Sequence, residues 1–578
     1  MALMLKRVNR PRDLKWYQAG ALLYGDWGTS KAYVLGIAFA LSGHASWFFL
    51  GLMSLLTAAV GVCYVIICRL FPDGGGVYSA AKSRSRVLAM VGAFLLVAGY
   101  TVTAAISAIE AFHYLRVPDP ELWAVISIVI IGLINWIGPG KVGSFAALIA
   151  IAASLSAFVL FFYTVPGLPQ VELTMPKGSL LENWSSFVGI VLALSGVEAV
   201  ANMTGIMQNP VEKTAKKAIF PVLLEVSILT FLLGIAMNAI PGLEIGNHAE
   251  AMMRTIAEHY AGPLYGQVIA VTFGLLLLSA ANTAIGALVN IQFSLAKDRE
   301  LPSVFTQLNR FGMPWLPLAI GTLIPVIVLV VEPNVLGLAE LYAVGVVGAI
   351  GLNLAFCATN SRLSMKPWEK ILLRGSALIM LLVELTICMQ KPKALLFAVA
   401  IVGGGFLISS LSKRVPVKTP VEEAEGMLNV LTVEEAGELA SLYPASTMVA
   451  LKYMNMNLIE EAVMRATAKG ENTVYLSYVD DAPASSVLLD EVEPSPESIH
   501  VFSTAQAELE KNGITAIPVW QIGADPGRLI ADAAKALSVK TVVIGTTKKS
   551  ALVNMIRGEV FRALARKLPA EIRLVVTG

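Results

Sequence analysis

Two stretches of this chain place an acid among glycines and hydroxyls inside apolar sequence. The first is Gly25-Asp26-Trp27-Gly28-Thr29-Ser30-Lys31-Ala32-Tyr33, in an apolar run over about 17–39. The second is Leu194-Ser195-Gly196-Val197-Glu198-Ala199-Val200-Ala201-Asn202-Met203-Thr204-Gly205, in a run over about 186–203. An acidic side chain at the centre of a membrane helix costs roughly 2.5–3.5 kcal/mol on insertion scales, so an intramembrane carboxylate marks a functional site by default. Backbone groups freed by a break are tolerated in a bilayer only where protein or a water-filled cavity receives them. Carboxylate, hydroxyl and carbonyl oxygens suit a hard monovalent cation better than thiols or imidazoles do. Asp26, Thr29, Ser195 and Glu198 supply such oxygens, and Thr103 and Ser107 add two more at i, i+4 on one face of another apolar run. Paired glycine-interrupted spans in matching positions of two halves point to a midplane binding site.

Each of these residues has a blander role open to it. Thr103 and Ser107 can bond back to their own helix carbonyls. Lys31 can pair with Asp26 or Glu198 and neutralise it, and Glu198 can be held in a permanent ion pair. Otherwise Glu198 is the expected proton carrier, since a carboxyl with little water around it can alternate between neutral and charged forms as a cavity opens and closes. Glu110 reads as a solvated rim residue at the end of its run, and Glu225 and Glu384 as lone acids with structural partners. The histidines His44, His113, His248, His259 and His500 form no ligand pair, and Cys63, Cys68, Cys357 and Cys388 have no metal-ligand spacing. No resident metal or cofactor is expected.

The elements that must position these groups are membrane helices. Of 578 residues 56% are hydrophobic and 15% charged, too apolar for a soluble protein. Apolar runs fall at about 17–39, 46–70, 87–113, 121–138, 143–163, 186–203, 218–240, 264–295, 315–331, 337–358, 370–388 and 394–411. Most reach the roughly 20 residues a bilayer requires. The segment before them is basic (Lys6, Arg7, Arg10, Arg12, Lys15), and no cleavable leader is expected there. Alternate loops gather Arg69, Lys82, Arg84 and Arg86, then Lys213, Lys216 and Lys217, then Lys297 and Arg299, then Arg362, Lys366 and Lys370. That bias predicts a multi-pass protein of the cell membrane with both termini cytoplasmic. The net charge of +2 gives no reason to expect a nucleic-acid partner.

The composition changes after Leu411. A charged linker over 412–445 leads to a soluble region, 446–578, in which β-rich segments (Ser446–Lys452, Thr473–Tyr478, Ala516–Ile522, Thr541–Gly545, Arg573–Thr577) alternate with helical ones (Leu458–Lys469, Ile499–Asn512, Gly527–Leu537, Met555–Leu568). Such alternation predicts a doubly wound parallel sheet.

The membrane region, 1–411, resembles the potassium uptake permeases, the KUP/HAK/KT family with its KimA-like relatives, inside the amino acid–polyamine–organocation superfamily. Gly25-Asp26-Trp27-Gly28-Thr29-Ser30 followed by Tyr33 is close to that family's first-helix signature. Gly74-Gly75-Gly76-Val77-Tyr78, Thr101 to Glu110, Ser195-Gly196-Val197-Glu198-Ala199, Ala280 to Ala287 and Lys297-Asp298-Arg299 extend the match over about 17–360. The resemblance implies an all-α LeuT-like fold of about twelve transmembrane helices, built from a five-plus-five inverted repeat and two further helices. It also implies potassium as substrate, held by Asp26, Tyr33, Thr103, Ser107, Ser195 and Glu198 with Thr29 nearby, and protons as coupling ion through Glu198 and Asp26. Family members carry a further aspartate where this chain has Gly99. The tail resembles a universal stress protein domain, whose phosphate loop would use Gly545 and Gly558. Here Lys548 and Glu559 replace a glycine and a hydroxyl, and Lys452 follows a first strand without the usual aspartate. A regulatory or dimerising role, making the protein a homodimer, therefore fits better than ATP binding, with a regulatory nucleotide as the lesser alternative. Two other functions compete with potassium uptake: an amino acid or organic cation permease, and a nutrient sensor signalling through the cytoplasmic domain. The chain carries no Gly-x-x-x-x-Gly-Lys-Ser/Thr loop, and the expectation is a transporter, not an enzyme.

Overall fold

The computed structural model describes residues 6–7, 12, 14–72, 74, 76–82, 84–137, 142–171, 173–243, 250–307, 309, 313–412, 430–439, 444–481, 491–492, 494–523, 525–545 and 560–577. They fall in two compact units, one of Arg12–Trp136 with Val142–Val415, the other of Pro416–Gly578 with Met1–Pro11 and Ile137–Lys141.

The first unit is helical throughout. Its spans are, in order, Trp16–Trp27 with Ser30–Ser42, then Ser46–Leu70, Arg86–Leu115, Pro120–Trp136 and Val142–Thr164. The sixth is the bent pair Leu180–Gly189 and Val191–Asn202. Val211–Met237, Pro263–Lys297, Trp315–Val331, Val335–Thr359, Pro367–Gln390 and Pro392–Ser412 follow. Each answers to one apolar run in the sequence. Among the described residues eight helical stretches are long and apolar enough to cross a membrane, and Trp16–Leu70, counted once, holds the first two spans. The third span is the most enclosed, with 83% of its apolar window buried against 28% and 22% in the last two, so it sits at the centre of the bundle.

The first and sixth spans both break, but differently. In the first, Gly28 (φ −64°, ψ −22°) and Thr29 (φ −73°, ψ −20°) keep right-handed helical torsions, and the interruption is a two-residue turn. Gly28 is needed there because a Cβ would lie 2.8 Å from the Tyr24 ring. In the sixth, the axis bends by 43° at Ile190, between Leu180–Gly189 and Val191–Asn202, and further on a 3-10 turn over Val191–Leu194 gives way to extended backbone at Ser195 (φ −52°, ψ 130°) and to Gly196 at φ +89°. An L side chain is disfavoured at that φ, so the glycine sets the break.

In the second unit, strands β2 (Thr447–Leu451), β3 (Thr473–Asp481), β5 (Thr515–Gly523), β6 (Thr541–Gly545) and β7 (Arg573–Thr577) form one parallel sheet in the order β5-β3-β2-β6-β7. A separate two-residue antiparallel ladder joins β1 (Lys6–Arg7) to β4 (Glu491–Val492). Helices Met456–Ala468 and Pro496–Lys511 pack on one face of the large sheet, and Pro526–Ala536 with Val560–Lys567 on the other. This is the doubly wound arrangement the alternation predicts. The segment expected as linker, 412–445, contributes to the fold near its end: Val433–Leu439 is helical, Val430 and Ala436 are buried, and Leu431 bonds to β5 through Pro518 O and Trp520 N, each at 2.9 Å. The β5 edge is thereby covered. The β7 edge carries Val576 at 45% exposure.

Candidate functional site

The two breaks meet. A Cβ on Gly196 would lie 2.6 Å from Trp27 N and 2.9 Å from Asp26 Cγ, so the kinked backbone of the sixth span rests directly on the end of the first half-helix. Asp26 is 3% exposed and Glu198 5%. Asp26 Oδ1 and Glu198 Oε2 have no hydrogen-bond partner among the described residues, and the two carboxyls lie within each other's field. Thr29 Oγ1 donates to Asp26 O at 2.5 Å and lies 3.5 Å from the Tyr33 hydroxyl. The Ser195 hydroxyl faces those of Tyr33 and Tyr342 without forming a geometrically sound bond to either.

The third span supplies the opposite wall. Tyr100 feels the charge of both Glu198 and Asp26, and the Tyr114 hydroxyl donates to Ala32 O at 2.9 Å. Tyr100, Thr103, Ser107 and Tyr114 share a helix face, at about 100° per residue within an arc of roughly 60°, so Thr103 and Ser107 lie on the side of the third span that carries those two tyrosines. The back-bonding alternative holds for one hydroxyl. Thr103 Oγ1 donates to Gly99 O at 3.0 Å, whereas Ser107 Oγ is buried with no partner among the described residues.

Several expectations change. Lys31 pairs with neither site acid: its ammonium lies 2.8 Å from Glu225 Oε2, on the seventh span, with 0% of its side chain exposed. Neither Asp26 nor Glu198 has a salt bridge with any cationic side chain among the described residues. Glu110 is not a solvated rim residue. It is fully buried, accepting from Ala251 N at 2.7 Å and lying 3.2 Å from His113 Nδ1. Glu225 has its structural partner in Lys31. Among the described residues Glu384 accepts only from the Cys388 thiol, at 4.0 Å, and its Oε2 is buried with no partner. The glycine at 99 has a packing reason: a Cβ there would lie 2.6 Å from Val346 Cγ2, and one on Gly345 would lie 2.6 Å from Gly99 N. The third and tenth spans cross too closely for an aspartate.

Sequence reasoning missed Tyr64, Tyr100, Tyr342, Asn202 and Asn353. Tyr64, Tyr100 and Tyr342 all feel the charge of Glu198, and Asn202 Nδ2 donates to the Tyr100 hydroxyl at 3.2 Å. Asn202 also abuts Gly76 of the glycine triplet, which joins that motif to the sixth span. Glu198, Asn202, Asn353 and Tyr64 line a narrow gap with no room for a water molecule. A tyrosine or asparagine in an apolar run carries no local mark of which helix it faces, so only the tertiary packing finds these residues. In the second unit, Gly545 ends β6 against Leu458 and Asn455, and the Lys452 ammonium lies 5.0 Å from the centre of the Tyr478 ring and 3.3 Å from Val479 O. Lys548, Gly558 and Glu559 lie outside the described residues.

Comparison with known proteins agrees with the two-part fold. The profile of the family described as amino acid permease matches residues 14–412, and that of the universal stress protein family matches residues 453–575. Over 380 residues the chain is 26% identical to the potassium transporter KimA of Bacillus subtilis, a match covering 59% of each protein. It is 27% identical over 137 residues to a probable amino-acid permease of Schizosaccharomyces pombe, covering 23% of this chain and 27% of that protein. It is 26% identical over 234 residues to the uncharacterized amino acid permease YtnA of Bacillus subtilis, covering 37% of this chain and 50% of that protein. These matches span less than two thirds of each relative's length.

Proposed function

The chain belongs to the amino acid permease family, in the amino acid–polyamine–organocation superfamily, and from that premise we propose that it is a secondary active importer of potassium coupled to protons. The observation that carries this reading is the meeting of Asp26 and Glu198 at the two breaks, with buried unpartnered oxygens and with the nearby lysine committed elsewhere. Two carboxylates in a medium of low dielectric cannot both stay charged without a counter-charge, because uncompensated buried charge costs far more than a hydrogen bond returns. One monovalent cation and one proton together balance them.

In this reading Asp26, Thr29, Tyr33, Thr103, Ser107, Ser195 and Glu198 hold the ion. The bond from Thr103 to Gly99 O fits the role, since a hydroxyl that donates to a carbonyl keeps its lone pairs for a cation. Glu198 carries the proton, with Asp26 as its coupled partner. With both termini cytoplasmic, a negative-inside potential drives the inward charge by about 2.3 kcal/mol per 100 mV. The potassium transporter among the relatives supports the substrate, and the two amino acid permeases support the second reading, an organic substrate. Asp26 speaks against a substrate carboxylate at the first break, because it would repel one; a cationic organic solute escapes that objection. The open β7 edge supports a homodimer formed by strand addition through the universal stress protein domain, which would then regulate transport.

Growth at limiting potassium tests the assignment. The wild type is expected to restore growth to a strain lacking potassium uptake, and Asp26→Asn to abolish that rescue while inserting and folding normally. Full rescue by Asp26→Asn would remove Asp26 from the ligand set.

A further inference from the structure

The buried group this account leaves unused is the one around Lys31. Tyr24 lies on the N-terminal half of the first span and Lys31 on the C-terminal half, on opposite sides of the turn at Gly28 and Thr29. Their polar ends come together on one carboxylate of the seventh span. The Tyr24 hydroxyl donates to Glu225 Oε1 at 2.9 Å, and the Lys31 ammonium donates to Glu225 Oε1 at 2.9 Å, to Glu225 Oε2 at 2.8 Å and to the Tyr24 hydroxyl at 3.0 Å. The Lys31 side chain is 0% exposed and that of Glu225 14%. The ammonium also lies 4.7 Å from the centre of the Tyr24 ring and 6.0 Å from that of Phe273 on the eighth span.

We infer that Tyr24, Lys31 and Glu225 form a clasp that fixes the two halves of the first span relative to each other and so positions Asp26 and Thr29 in the cation site. Asp26 lies two residues after Tyr24, and Thr29 two before Lys31, so the clasp brackets the ligands on both sides of the break. At this turn the torsions stay helical but the i→i−4 ladder gives way to i→i−3 bonds, Thr29 N to Asp26 O at 3.3 Å and Ala32 N to Thr29 O at 2.9 Å, so the backbone holds the two halves less firmly than a regular helix would. Here the link is strengthened through side chains, all anchored on one carboxylate. Gly28 makes the geometry possible, because the Tyr24 ring occupies the place its Cβ would take. A plain structural ion pair between two continuous helices would need no tyrosine from beyond the break. The charge balance follows too: by using its charge on Glu225, Lys31 leaves Asp26 and Glu198 to the transported cation and proton. The clasp rests on the reading of that site as a cation site only for its functional consequence, since its geometry stands without it.

The test is Tyr24→Phe, which keeps the ring against Gly28 and removes one hydroxyl. In the full-length protein in detergent, hydrogen–deuterium exchange over 16–27 is expected to rise about threefold relative to 30–42. In proteoliposomes the apparent KM for rubidium is expected to rise about fivefold with the maximal rate within roughly twofold of wild type, the signature of a displaced ligand set. The double variant Lys31→Met with Glu225→Met removes the pair without leaving an uncompensated charge and is expected to insert normally with the same KM shift. Wild-type exchange and wild-type KM in Tyr24→Phe would overturn the clasp, as would wild-type KM in the double variant. If the double variant fails to insert, Tyr24→Phe decides alone. If the wild type shows no rubidium or potassium uptake at all, the functional reading fails while the exchange data still decide the clasp.

Discussion

Glu225 and Glu198 are both carboxylates inside apolar helices, and the protein treats them in opposite ways. Glu225 is met by an ammonium and a tyrosine hydroxyl within 3.0 Å, so its charge is neutralised in place. Glu198 is met by Asp26, a second acid, and keeps an oxygen with no partner among the described residues. Both are expensive in a bilayer, and a chain could relieve either with one lysine. The only lysine buried in the first span goes to the acid that joins helices and not to the acids at the breaks. The difference separates scaffold charge from working charge: an intramembrane acid that already has its cation is a fastener, and one that lacks it is where a mobile cation can be bound and released.

The largest effect that would break this comparison comes from the contact between the two breaks. Gly196→Ala forces an L side chain to φ +89° and sets a Cβ 2.6 Å from Trp27 N, so the sixth span must move away from Asp26. Strain of about 1–3 kcal/mol falls on the site itself, and uptake is expected to drop by roughly tenfold or more in cells that contain normal amounts of protein. Wild-type flux in that variant would show that the breaks work independently. A second effect concerns the working acid alone. Glu198→Gln keeps shape and removes the titratable group, and uptake is expected to lose its stimulation by an inward proton gradient and to respond to membrane potential only. Unchanged stimulation would mean that the proton travels by another group, and Glu384, whose Oε2 is buried with no partner among the described residues, is the next carboxyl to test.

The smallest effect lies outside the bundle. Truncation after Ser412 removes the sheet with the exposed β7 edge and is expected to leave a core that transports at about one third to three times the wild-type rate while dimerising less in detergent. A core that stays fully dimeric would place the interface elsewhere, and one that inserts but carries no flux would give the domain more than a regulatory part.

What the sequence made legible follows from how each signal is encoded. Asp26, Glu198 and the glycines beside them stood out because a charge and a helix breaker in an apolar run are local anomalies that need no tertiary knowledge. The five strands of the parallel sheet and the four helices packed on it were equally plain from alternating period, although Val433–Leu439 escaped notice because a short acidic helix inside a charged segment has no apolar period long enough to detect. The partner of Lys31 was not legible. Glu225 lies 194 residues away, and Asp26 and Glu198 are equally plausible by chemistry; only the packing of the first span on the seventh decides. Glu110 was misread because a position near a helix end suggests solvent, whereas the segment at Ala251 folds over it. The shallow turn at Gly28 and the deep one at Gly196 also look alike as sequence, since a glycine marks where a bend is permitted and not how far the backbone takes it.

The central claim is that the breaks bind a monovalent inorganic cation. The most direct measurement is uptake by the purified full-length protein in proteoliposomes, with potassium, rubidium and a panel of amino acids offered under an inward proton gradient and a negative-inside potential. The account predicts that potassium and rubidium accumulate and compete with each other while amino acids neither enter nor inhibit. Accumulation of an amino acid that is indifferent to potassium would contradict it.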